Sequence, residues 1–231
     1  MPDPLVLLPG MNCSARLWDG VALDGPVLTP ELPSTGGLES CVAELLELLP
    51  ERFALAGLSL GGIVAMAMLR RAPERVTALC LLSTNPHAPT PRQLSAWRAQ
   101  RDELAAGRSA RDLQSDLLPV LLAGRSAAAD AVVLAMADDV GDSALDAQLA
   151  LQATRIDERP WLPRVDVPTL VLAAERDALC PVAKHEELAA LIPAAKLHVL
   201  SGAGHLSPLE AASQVTGRMR DWLAAIRTAT R

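Results

Sequence analysis

The chain has 231 residues, a formal net charge of −6 and 50% apolar residues. That length suits one large domain or two small ones around a substantial core, and an acidic balance with no lysine or arginine run argues against nucleic-acid binding. Four Trp, one Phe and no Tyr leave little for base stacking, so a pocket in this chain is expected to be mostly aliphatic.

Leu5-Val6-Leu7-Leu8, stopped by Pro9-Gly10, reads as a parallel strand buried on both faces. No basic region precedes that run, which is too short for a signal peptide or a membrane span. Pro26 to Thr29 is a weaker strand, and Leu38 to Leu49 reads as a helix with Val42, Leu45, Leu46 and Leu49 on one face. Phe53 to Gly57 is the next strand, and Ile63 to Leu69 belongs to a helix. Between them stands Gly57-Leu58-Ser59-Leu60-Gly61-Gly62. A serine flanked two positions away by glycines, at a strand-to-helix turn, has the pattern of a nucleophile elbow. The turn strains the serine backbone and lifts its hydroxyl clear of the sheet, and strand and helix pass too close for side chains at 57 and 61.

Val76 to Leu82 is a further strand. From about Pro86 to Arg159 the strand-helix alternation stops. Leu94, Trp97 and Leu104, then Leu113, Leu117 and Leu121, fall at helical spacing, with Pro119 expected to bend or end the second helix. Ala127 to Val140 and Ser143 to Ile156 look like two more helices, giving an insertion of about four. Gly107 and Gly124-Arg125-Ser126 read as turns between them.

Strand-helix alternation then resumes. Pro168 to Ala174 is a strand ending in Glu175-Arg176-Asp177, and Lys196 to Leu200 is a strand ending in Ser201-Gly202-Ala203-Gly204-His205. Ser207-Pro208-Leu209-Glu210 fits a capping box for a last helix with Leu209, Ala212, Val215, Met219, Trp222, Leu223 and Ile226 on its apolar stripe. Alternating strands and helices argue for a mostly parallel sheet covered on both faces.

An elbow serine, an acid after one late strand and a histidine after the next follow the order Ser, Asp, His, unlike that of trypsin or subtilisin. On these residues the chain resembles the α/β-hydrolase superfamily from Leu5 to about Ile226, and in particular its small carboxylesterases and enol-lactonases. The resemblance implies an α/β-hydrolase fold with about six strands, since the two extra leading strands of many relatives are absent. It implies a core of residues 1–85 and 160–231 and a helical cap of residues 86–159.

It further implies a catalytic Ser59, Asp177 and His205, with Ser59 as nucleophile, His205 as base and Asp177 holding the imidazole. The Leu60 N–H, at the start of the elbow helix, is an oxyanion donor. Matched to relatives with His-Gly in the loop after the first strand, the second donor is the Met11 N–H, with Pro9 in place of histidine. The expected activity is a serine hydrolase acting through an acyl-enzyme on a small-molecule ester, thioester or lactone. The same triad also serves carbon–carbon cleavage and lyase reactions, and a non-catalytic ligand-binding protein is a third reading.

No cofactor and no metal is implied. Cys13, Cys41, Cys80 and Cys180 match neither a zinc nor a CxxC spacing; Cys80 reads as core, and Cys13 and Cys180 sit near the expected site without an activating pattern. The expected partner is a small-molecule substrate, with neither nucleic acid nor membrane, and a cytoplasmic location follows by default. Oligomeric state is not readable. Of the other histidines, His87 reads as a loop or cap-hinge residue, His185 as solvated and His198 as a structural strand residue. Glu175 reads as an ion-pair partner and Asn12 as a loop-shaping residue.

Overall fold

The computed structural model describes residues 3–34, 36–193 and 195–229. Met1 and Pro2, part of the leading segment read above, lie outside them. Six strands form one sheet: β1 (Leu5–Leu8), β2 (Val27–Leu28), β3 (Phe53–Leu58), β4 (Val76–Leu82), β5 (Thr169–Ala174) and β6 (Ala195–Leu200). Their order is β2-β1-β3-β4-β5-β6, and every neighbouring pair is parallel. This is the six-stranded sheet expected from the sequence, with β2 reduced to two exposed residues at one edge.

Period-two alternation divides the core between the two faces. Val6, Leu8, Leu55, Leu79, Leu81 and Val171 pack with helices α1 (Leu38–Leu48), α2 (Leu60–Arg71) and α6 (Val182–Leu191). Leu5, Leu7, Ala56, Cys80 and Leu172 face the other way, onto α8 (Ala212–Ala229) through Val215, Met219 and Trp222. The central helix α2 is buried from Leu60 through Leu69, because it lies on the sheet beneath the rest of the fold.

The insertion between β4 and β5 is helical: α3 (Pro91–Ala105), α4 (Ala110–Leu121) and α5 (Ala127–Ala153). Four helical segments result, as expected, because Gly141, at φ 74° and ψ 168°, is not helical and breaks α5 between the two segments read from the sequence. Thr90 and Ser109 form capping boxes with Gln93 and Asp112 at the starts of α3 and α4. Pro119 lies inside α4, which ends two residues later.

The capping box expected at Ser207 is not formed. Ser207 opens the short helix α7 (Ser207–Glu210), and its buried Oγ has no hydrogen-bond partner. Glu210 instead accepts from the N–H groups of Ala123, Gly124 and Gly204, at 2.8, 3.0 and 2.8 Å. One carboxylate thereby fastens the turn between α4 and α5 to the loop that carries His205. No helix among the described residues is long and apolar enough to cross a membrane.

Candidate active site

Ser59 sits between β3 and α2 with φ 54° and ψ −112°. A non-glycine residue there stores about 1–3 kcal/mol of backbone strain, held by its surroundings. The Ser59 N–H donates to Leu82 O at 2.9 Å, and its carbonyl accepts from Ile63 N and Thr84 Oγ1. A Cβ on Gly57 would stand 2.3 Å from Gly61 O, and one on Gly61 would stand 2.4 Å from Leu8 O. The glycines are therefore demanded by backbone contact, as the elbow pattern requires.

Asp177 follows β5 in a tight turn. Its Oδ1 accepts from Leu179 N at 2.9 Å and Cys180 N at 2.8 Å, and its two oxygens lie 3.0 and 2.9 Å from His205 Nδ1. Both side chains are buried. Burial alone would raise the Asp177 carboxyl; the His205 hydrogen bond and charge, with the two N–H donors, outweigh it and hold the carboxyl below its ordinary value. With Nδ1–H given to the carboxylate, the lone pair of His205 resides on Nε2.

The His205 loop is braced from several sides. Gly202, at φ 72°, donates its N–H to Glu175 Oε2 at 2.7 Å, so Glu175 holds this turn and is not the ion-pair partner expected. Arg176 N donates to Ala203 O, and Leu206 N donates to Leu121 O in the insertion.

A cavity of about 300 Å³ opens between sheet and insertion, and Gly10, Met11, Ser59, Cys180 and His205 line it. The loop after β1 is tied to the insertion through Asn12, at φ 56°. Its N–H donates to Gln148 Oε1 at 2.7 Å, and its Nδ2 donates to Ala110 O and Gln114 Oε1.

The expectation of Ser59 as the nucleophile bonded to His205 is corrected here. No hydrogen bond joins the Ser59 hydroxyl to the imidazole among the described residues. The side chain that shares the buried cluster with the acid and the base is Cys180: ligand-type atoms of Asp177, Cys180 and His205 all lie within 4.8 Å of one another. The serine relay read from chain order is thus replaced in the structure by an Asp177–Cys180–His205 grouping. Burial, and secondarily the Asp177 charge, push the Cys180 thiol up to about 12. Its sulfur accepts from Asn85 Nδ2 at 3.7 Å.

The sequence reading placed Cys180 near the site but gave it no role, because it shows no activating pattern and stands in no CxxC or zinc spacing. The available signal was its place three residues after Asp177, inside the turn that the carboxylate closes. The same three side chains are the group of metal-ligand type among the described residues. A carboxylate bonded to Nδ1–H beside a protonated thiol has the donors of a hydrogen-bonded cluster.

The other histidines fall outside the cluster. His185 is fully buried, contrary to the solvated reading. Its ring accepts from Thr84 N at 3.1 Å through Nε2 and donates from Nδ1 to Pro181 O at 3.3 Å. It therefore clamps the strand end beside the elbow, and burial holds its pKa below the usual imidazole value. His87 lies 2.6 Å from Glu187 and 3.0 Å from Lys184 Nζ. His198 is half-buried on edge strand β6.

The chain belongs to the alpha/beta hydrolase family, whose model matches residues 5–218. It is 33% identical over 229 residues to a pimeloyl-(acyl-carrier protein) methyl ester esterase of Aromatoleum aromaticum, covering 88% of this chain and 91% of that protein. It is 29% identical over 252 residues to the biotin biosynthesis bifunctional protein BioHC of Cellvibrio japonicus. That match covers 97% of this chain and 48% of the relative, so the chain spans about half of that protein's length. Among solved structures, an enol-lactonase from Burkholderia xenovorans superposes with a TM-score of 0.83 at 24% identity, covering 97% of this chain and 92% of that one. A thermophilic esterase from Thermogutta terrifontis does so with a TM-score of 0.81 at 23% identity, covering 98% and 91%. At these identities the likeness is one of fold.

Proposed function

We propose that the chain hydrolyses a carboxylic ester, thioester or lactone of a small molecule. His205 is the general base, Asp177 orients it, and the N–H groups of Met11 and Leu60 receive the oxyanion. The observation that carries this reading is the buried Asp177–His205 pair opening on a cavity shared with the elbow and the β1 loop. Among the described residues neither the Met11 nor the Leu60 N–H enters a turn, loop or cap hydrogen bond, which supports their role as donors. Each such donor contributes about 3–4 kcal/mol to a developing oxyanion.

Ser59 stays among the proposed site residues because it lines the same cavity at the strained turn. Cys180 joins them through the cluster. A thiol held at about 12 is ionised to about one part in ten thousand at pH 8, so attack from Cys180 requires His205 to take its proton in the same step.

The relatives' printed activities support ester substrates, and methyl esters of acyl chains enter the test for that reason. The proposed division places the core in residues 1–85 and 160–231 and the cap in 86–159, supported by the helical insertion between β4 and β5. A cytoplasmic location belongs to the same proposal, supported by four free cysteines.

The experiment is ester turnover together with mass-spectrometric mapping of a trapped adduct in wild type, Ser59→Ala, Cys180→Ala and His205→Ala. Turnover and labelling in the wild type, both lost in His205→Ala, are the expected result, and the modified residue identifies the nucleophile. Absence of turnover on methyl, thio and p-nitrophenyl esters overturns the reading.

A further inference from the structure

Arg155 is a buried cation with no carboxylate partner among the described residues. It follows α5, is 6% exposed and lines the same cavity as His205. An arginine has five N–H donors in a planar fork. Here Nη1 donates to Gln152 Oε1 at 3.0 Å and Nη2 to Gln93 Oε1 at 3.3 Å, both neutral amide oxygens. The buried Nε has no partner. The guanidinium stacks over the Trp97 ring, 5.2 Å from its centroid.

The two acids nearest in sequence are engaged elsewhere: Asp157 with Arg159 and Glu158 with Arg70. No ion pair joins Arg155 to a carboxylate among the described residues. A buried charge left uncompensated is costly to a fold, and burial accordingly holds this guanidinium below its ordinary value. Polar side chains that share the cavity wall with it, Gln93, Gln100, Gln114 and Gln152, are all uncharged. Cys180, on the same wall, acts on Arg155 only as a thiolate, and burial keeps that thiol protonated near neutral pH, so the pairing charge falls to what fills the cavity.

We propose that Arg155 is the specificity-determining residue of this site, and that it selects an ester, thioester or lactone carrying a second, free carboxylate. This rests on the hydrolase reading for the reacting end and on Arg155 alone for the anionic end. Gln93 and Gln152 hold the guanidinium plane, Trp97 backs it, and the remaining donors meet the substrate carboxylate inside the cavity. A cavity of about 300 Å³ suits a short dicarboxylate monoester or a lactone acid.

The test has two arms. In the first, kcat/KM is measured for the monomethyl and dimethyl esters of glutarate and adipate. Wild type is expected to favour the monoanion by about tenfold or more, and Arg155→Gln to lose about 100-fold on it through KM with little change on the neutral diester. Arg155→Lys, which keeps the charge and loses the fork, recovers part of that loss. An unchanged monoester-to-diester ratio in Arg155→Gln overturns the proposal.

In the second arm, binding of the free dicarboxylates is measured by calorimetry, which needs no turnover. Binding by wild type that weakens at least tenfold in folded Arg155→Gln supports the anion site even where no ester is hydrolysed, a result that would sink only the hydrolase reading. Equal dicarboxylate affinity in wild type, Arg155→Gln and Arg155→Lys overturns the proposal whatever the ester kinetics show.

Discussion

The backbone N–H of Asn12 donates to Oε1 of Gln148 at 2.7 Å, joining the loop after β1 to the second half of α5 across 136 positions of sequence. The bond is buried and, with the Asn12 side-chain bonds to Ala110 and Gln114, ties the loop proposed to bind the oxyanion to the insertion that roofs the cavity. Gln148→Leu leaves that N–H buried without an acceptor, and is expected to cost about 1–3 kcal/mol of stability. A thermal melt alongside ester kinetics checks it. The expected kinetic signature is a lower kcat with little change in KM, because the disturbed loop carries the Met11 donor and makes no claim on the ground state.

Asp177→Asn is expected to keep the fold and lower kcat by about ten-thousandfold, since an amide no longer fixes the imidazole tautomer. The pH dependence has a definite sign. Although burial opposes it, the net effect of His205 and the two N–H donors is to lower the carboxyl below its reference value of 3.8. Stability from ionised Asp177 is therefore fully present above that reference and is lost as pH falls through the lowered folded value. Melting temperature followed from pH 6 downward is expected to show this acid-side loss in wild type and a smaller one in Asp177→Asn.

Gly57→Ala would put a Cβ 2.3 Å from Gly61 O, a backbone atom that cannot rotate away. The expected penalty is about 3 kcal/mol or more, read as a lower melting temperature or as insoluble protein. Gly107→Ala is the control for a glycine whose Cβ meets nothing within 4 Å but whose φ is +96°. It is expected to cost about 1 kcal/mol from backbone strain alone.

All four cysteines are buried, and burial raises each thiol: Cys13, Cys41 and Cys180 to about 12, and Cys80 further. Native protein at pH 8 is therefore expected to react slowly with a disulfide reagent, with all four thiols appearing in denaturant. Cys180 gives the informative exception. If the imidazole draws off its proton, alkylation mapped to Cys180 is faster in wild type than in His205→Ala. Equal rates would mean that the thiol shares the cluster without being activated by it.

The sheet, its parallel sense and the elbow were legible because each rests on local physics. Buried parallel strands leave continuous apolar runs, and the contacts of Gly57 and Gly61 admit no side chain. Asp177 and His205 were legible for a related reason, as polar residues placed just past strand ends. Cys180 and Arg155 were not. Their surroundings are made by packing between the insertion and the core, and neither spacing nor composition encodes that. His185 was misread because α6 has a mixed face, and only the Thr84 N–H that it caps reveals why an imidazole is wanted inside. Ser207 and Glu210 matched a helix-start pattern, yet the carboxylate found better donors across the fold than along its own helix.

The bend at Gly141 gives the latter half of α5 an orientation of its own, and Gln148, Gln152 and Arg155 follow at steps of four and three. One short rod and the residue just past its cap thus carry both a brace on the β1 loop and the proposed anion grip. Natural divergence or a design campaign can therefore retune which molecules are accepted by rewriting positions 152 and 155, provided 148 is left alone.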